Sequence, residues 1–192
     1  NYTLYNDILQ LFFIEDMLQF SMRWHKSMNI FLCGSNQLTA LDQEEIKKFL
    51  IDYAHKHKIY ILCYKSIENE VLRFFIENER LAQNLCLYTL QPLHVLTDEF
   101  QEVVDYLKKH GAEYIAFDHP SDSIYRSDYM FFVKQIIEDT DLVLCFYNGD
   151  KHTSVIPVDV AKEAGIDAVI YDLPGLHEKQ LKKSFEQKIR MM

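Results

Sequence analysis

The sequence predicts an α/β chain in which a mostly parallel sheet carries helices on both faces. Short apolar runs recur from Asn29 onward, and each is followed by a stretch with apolar residues three and four apart. Alternation with one helix per crossover is the signature of parallel strands joined by strand-helix-strand units. With only 5 Gly and 4 Pro in 192 residues, the chain is also poor in the residues a loop-dominated fold requires.

Strands are expected at 29–33, 59–64, 85–89, 114–117, 142–146 and 168–171, because these runs are apolar without a polar alternate face. Helices are expected near 43–57, 69–83, 98–110, 128–138 and 155–164. Ser66 and Thr97 stand where helix N-caps are needed, and Gly111 and Gly165 where left-handed C-caps are needed. One core therefore occupies 29–175. Residues 1–28 precede it as a dense apolar segment of helical character, read as an N-terminal extension that covers the sheet or joins two chains as a homodimer. Residues 176–192 read as a charged helix.

Composition narrows the partners. Hydrophobic residues make up 48% and aromatics 14%, which places the chain among globular proteins. A net charge of -9 removes the electrostatic term that drives non-specific binding to polyphosphate, so no nucleic-acid partner is expected. No charge-free stretch reaches membrane-spanning length and no leader pattern opens the chain, so no membrane partner is expected and a cytoplasmic location is. Cys33, Cys63, Cys86 and Cys145 lack metal-ligand or redox spacing and read as reduced core residues.

Function is sought at the carboxyl ends of the strands, where open parallel sheets bind small molecules. Gly34, Ser35 and Asn36 end the first strand, Lys65 follows the second, and Arg126 precedes the fourth helix. Tyr147, Asn148 and Gly149 end the fifth strand, and His152, Thr153 and Ser154 lead into the fifth helix. That helix meets no carboxylate until Asp159, whereas the other four begin among acidic residues, so its free amides rank as the best anion acceptor. Asp118, after the fourth strand, suits a ribose contact, a base or a turn cap. The glycine-rich dinucleotide fingerprint and the P-loop are both absent, and no metal ligand set or cofactor is implied.

The opening strand with its Gly-Ser turn (Ile30 to Ser35), Arg126 to Met130, and DLVLCFYNGD with Thr153, Ser154 and the Ala161 to Ile166 segment resemble the SLOG superfamily. That group includes cytokinin-activating phosphoribohydrolases, the DNA processing protein A fold and nucleotide-sensor domains. Nucleoside 2-deoxyribosyltransferases look similar. The resemblance implies a Rossmann-like three-layer sandwich that binds a nucleotide or nucleotide-sugar. It also departs from the family: His152-Thr153-Ser154 replaces a Gly-Gly-Thr loop, and the transferase glutamate is missing, leaving Asp159 as the nearest carboxylate. Binding is thus ranked first. The alternative is an N-glycosidic hydrolase or ribosyltransferase with Asp118 or Asp159 as base or nucleophile.

Overall fold

The computed structural model describes residues 26–121 and 123–175. The proposed N-terminal extension, almost all of it, and the dimer contact assigned to it lie outside these residues, as does the charged helix of 176–192.

Six strands form one parallel sheet in the order β4-β3-β2-β1-β5-β6. They are β1 (Asn29–Gly34), β2 (Lys58–Leu62), β3 (Leu85–Thr89), β4 (Glu113–Ala116), β5 (Leu142–Tyr147) and β6 (Asp167–Asp172). Five α-helices make the crossovers: α1 (Ala40–Tyr53), α2 (Glu68–Glu77), α3 (Asp98–Lys109), α4 (Arg126–Ile137) and α5 (Ile156–Glu163). The predicted α/β Rossmann-like sandwich is the observed architecture.

Successive strand residues enter opposite layers, as a period of two requires. Ile30, Leu32, Ile59, Ile61, Leu144 and Phe146 pack beneath α1 to α3 with Ile46, Leu50, Phe75 and Leu107. Phe31, Cys33, Leu62, Tyr88, Val143 and Cys145 pack against α4 and α5 with Phe132, Ile136 and Val160. Each fully buried side chain of this size contributes roughly 1.5–3 kcal/mol. This two-sided burial explains why the central strands read as continuous apolar runs. The edge strands differ: Ile115 on β4 and Ile170 and Tyr171 on β6 remain exposed.

Two helices depart from the periodicity. The single helix expected over 69–83 ends at Glu77, and a 3-10 segment (Glu79–Asn84) follows. Asn78 makes the break, since its side-chain amide donates to the Phe74 carbonyl at 2.8 Å and its backbone leaves the helical region. At α1 the start moves upstream to Ala40, because Thr39 and Asp42 form a reciprocal capping box. Thr97 caps α3 as expected. Ser66 does not cap α2; its hydroxyl bonds the Gly34 backbone instead.

Candidate functional site

Strand order reverses between β1 and β5. The chain runs outward from β1 through β2, β3 and β4, then returns to β5 on the other side. A crevice therefore opens at the carboxyl ends of β1 and β5, the usual ligand position in such sheets. Gly34, Ser35, Asn36, Tyr147, Asn148, Gly149 and Ser154 converge there.

Gly34 is demanded by this convergence. Its φ is +154°, and an added Cβ would fall on the Phe146 carbonyl. Ser35 donates its backbone N–H to that same carbonyl at 2.9 Å. The glycine thus lets the end of β1 pass close to β5.

Asp150 fills the crevice. Its carboxylate accepts from Ser35 Oγ (2.8 Å), the Asn36 N–H (3.0 Å), the Lys151 N–H (2.6 Å) and Ser154 Oγ (3.0 Å). Burial alone would raise the Asp150 pKa, yet these bonds more than cancel it and hold the pKa below the ordinary aspartate value. Hydroxyl and backbone donors around a helix start would otherwise suit a phosphate. Here the protein supplies its own anion.

Asn148 ties this layer to a second buried carboxylate. Its N–H donates to Ser35 Oγ at 3.0 Å, and its side-chain amide donates to the Gln37 carbonyl and to Asp42 Oδ2, each at 2.7 Å. Asp42 also accepts from the Thr39 and Gly175 backbones at 2.9 and 2.7 Å. Burial works to raise its pKa, and the bonds from Asn148, Thr39 and Gly175 win, leaving it lowered. Asp42 thereby pins the segment after β6 to the start of α1.

The other predicted residues spread along the carboxyl edge. His152 and Thr153 are exposed in a 3-10 turn (His152–Val155) ahead of α5. Lys65 follows β2 in a left-handed conformation (φ 49°), with Nζ 5.1 Å from the centre of the Tyr64 ring. Tyr64 lies 5.9 Å from Tyr129 of α4, and Arg126 is the exposed first residue of that helix. Asp118 follows β4 with φ 54°, three strand spacings or about 14 Å from β1. Asp159 is exposed on α5. The two proposed catalytic carboxylates are thus placed on different elements outside the crevice.

Asp42, Ser66, Glu68 and Asp150 lie at strand ends or helix starts that the sequence marks, but their hydrogen-bonding roles at this end of the sheet are not legible there. Burial raises the Glu68 pKa, although its carboxylate accepts the Ser66 N–H at 2.6 Å. Beside them a mostly polar cleft of about 220 Å³ lies between the first turns of α1 and α2, lined by Asn36, Leu38, Gln43, Ser66, Ile67, Asn69, Glu70 and Arg73. Among the described residues no acid, histidine and cysteine group is placed to hold a metal, and no helix is long and apolar enough to cross a membrane.

No family model and no curated protein matches the chain. Solved structures do. One, described for the single-stranded DNA binding mode of DNA processing protein A from Helicobacter pylori, superposes with a TM-score of 0.56 at 8% identity, covering 83% of this chain and 74% of that one. DNA processing protein A from Streptococcus pneumoniae gives 0.55 at 14% identity, covering 84% and 57%. At these identities the likeness is one of fold.

Three expectations are corrected. The nucleotide or nucleotide-sugar ligand, and with it the N-glycosidic alternative, gives way because these neighbours are DNA processing proteins and one is described by its binding of single-stranded DNA. Physically, Ser35, Asn36 and Ser154, among the residues assigned to a ligand there, are engaged by Asp150. The expectation of no nucleic-acid partner falls with the same finding; a net charge bounds the summed field and leaves local cations unconstrained. The similarity to nucleoside 2-deoxyribosyltransferases is likewise replaced by the likeness to DNA processing protein A.

Proposed function

We propose that the protein binds single-stranded nucleic acid along the carboxyl edge of the sheet. The observation that carries the reading is the set of exposed cations there, with one exposed ring, Tyr125, beside them. Lys65, Arg126 and Lys151 are exposed after β2, at the start of α4 and after β5, and none is in an ion pair among the described residues. Tyr125, next to Arg126, is 72% exposed, whereas Tyr64 and Tyr129 are partly buried against the core. Cations track a phosphate chain while rings stack on unpaired bases, at roughly 1–3 kcal/mol per base. The fold shared with a protein described by its single-stranded DNA binding supports the same reading.

The acidic surroundings set the strength. Three cations on a chain of net charge -9 support weak, salt-sensitive binding, with a dissociation constant of about 10⁻⁴–10⁻⁶ M. Four free cysteines, three of them buried, fit a reducing cytoplasm. Fluorescence anisotropy with a labelled thymine oligonucleotide of about twenty nucleotides, in low salt, tests the proposal. Lys65→Glu and Arg126→Glu are expected to weaken binding, alone and together. Binding unaffected by both removes the assignment to this edge.

A further inference from the structure

Beyond β6 the chain follows a fixed path back to the crevice. Leu173 is fully buried and donates its N–H to the Tyr147 carbonyl at 2.8 Å, which brings it across the carboxyl end of β5. Gly175 donates its N–H to Asp42 Oδ1 at 2.7 Å, and its backbone lies so close to that carboxylate that a side chain would have no room. From Asp42 the hydrogen bonds continue through Asn148 and Ser35 to Asp150, and from Asp150 to the N–H of Lys151. Gly175 is thereby fixed at the carboxyl edge, a short bonded chain away from one of its exposed cations.

The next seventeen residues, 176–192, carry Lys179, Lys182, Lys183, Lys188 and Arg190 against Glu178 and Glu186. In the whole chain 29 acids outnumber 20 Lys and Arg, so this stretch reverses the sign of the rest. Carboxylates around Gly175 are already served: Asp42 and Asp150 by the donors above, and Glu45 by Lys48 at 2.7 Å and Tyr171 at 2.8 Å. They leave the cations of 176–192 for an outside anion. Resting on the single-strand reading above, we propose that Lys179, Lys182 and Lys183 bind phosphates of the same strand as Lys65, Arg126 and Lys151. They follow Gly175 by four to eight residues, a reach of at most about 30 Å, so the anchor holds them at a high effective concentration beside that strand. Each phosphate they neutralise releases counterions, which supplies the electrostatic term that a chain of net charge -9 otherwise lacks.

Anisotropy titrations with the thymine oligonucleotide compare the unsubstituted chain with two charge-matched triple variants. One combines Lys179→Gln, Lys182→Gln and Lys183→Gln. The other combines Lys56→Gln, Lys108→Gln and Lys109→Gln, at exposed lysines on the opposite, amino edge of the sheet. In about 0.1 M salt the Debye length of about 10 Å is shorter than a strand of about 17–20 Å, so the second triple is expected to change affinity by about two-fold at most. The first is expected to weaken binding by about ten-fold or more and to flatten the slope of log affinity on log salt by about 2, or about 0.7 for each phosphate contact. Its urea unfolding midpoint is expected to stay unchanged. Equal weakening by the two triples, no weakening by the first, or tighter binding by it overturns the inference and leaves the single-strand reading standing. A fall in stability that accompanies the first triple's lost binding assigns those lysines to the fold and overturns the inference as well. Failure of the unsubstituted chain to bind the strand overturns both.

Discussion

Replacing Asp150 with alanine tests whether the crevice is held by an internal anion. Four donors lose their acceptor: Ser35 Oγ, the Asn36 and Lys151 N–H groups, and Ser154 Oγ. Asn36 and Lys151 are exposed, so water replaces the carboxylate at little cost. Ser35 is fully buried and Ser154 half-buried, and hydrogen bonds to a charged group are worth about 1.5–3 kcal/mol each when shielded. Counting the first in full and the second in part gives a loss of about 2–4 kcal/mol. For a chain of this size that lowers Tm by about 4–16 °C. Urea denaturation of both proteins across pH measures the gap. The folded pKa of Asp150 lies below its unfolded value, so its contribution is complete above the ordinary aspartate value near 3.9 and is lost as pH falls through the depressed folded value. The stability gap should therefore close on acidification. Phosphate should also stabilise the alanine variant more than the parent, because the vacated donors suit an anion. A gap under about 0.5 kcal/mol at neutral pH, or one that persists in acid, refutes the reasoning.

Other perturbations follow the same geometry. Gly34→Ala drives a Cβ onto the Phe146 carbonyl at a φ that L-residues rarely adopt, and should cost about 3 kcal/mol or more in chemical denaturation; a loss below about 1 kcal/mol contradicts the close approach of β1 and β5. Asn148→Ala removes a donor to the buried Asp42 carboxylate, so the acid-unfolding midpoint should move to higher pH, and an unchanged midpoint counts against the coupling. Lys65→Glu should flatten the dependence of log affinity on log salt for a single strand by about 0.7, the increment for one phosphate contact; an unchanged slope places the contact elsewhere.

The layers of the fold were legible because the central strands are buried on both faces, which writes them as unbroken apolar runs such as Leu142 to Phe146. The carboxyl ends of the strands could be located in the sequence, but the strand order, and with it the switch point between β1 and β5, could not. Asp150 is visible in the sequence as an acid just upstream of α5, but its partners Ser35 and Asn36 lie more than a hundred positions away, so its place in the crevice is not. Asp42 escaped for the same reason: a first-turn acid reads as a solvated end, whereas contacts with Asn148 and Gly175 bury it. The break in α2 rests on one side-chain bond at Asn78, which a window average smooths over.

The most direct test of the account is a competition titration. The protein is mixed at low salt with a labelled thymine oligonucleotide of about twenty nucleotides and challenged with either unlabelled single strand or excess mononucleotide. The account predicts saturable binding that the unlabelled strand reverses and the mononucleotide does not, since Asp150 occupies the crevice and a single phosphate cannot span Lys65, Arg126 and Lys151. No binding of the strand, or its displacement by a mononucleotide, contradicts the account.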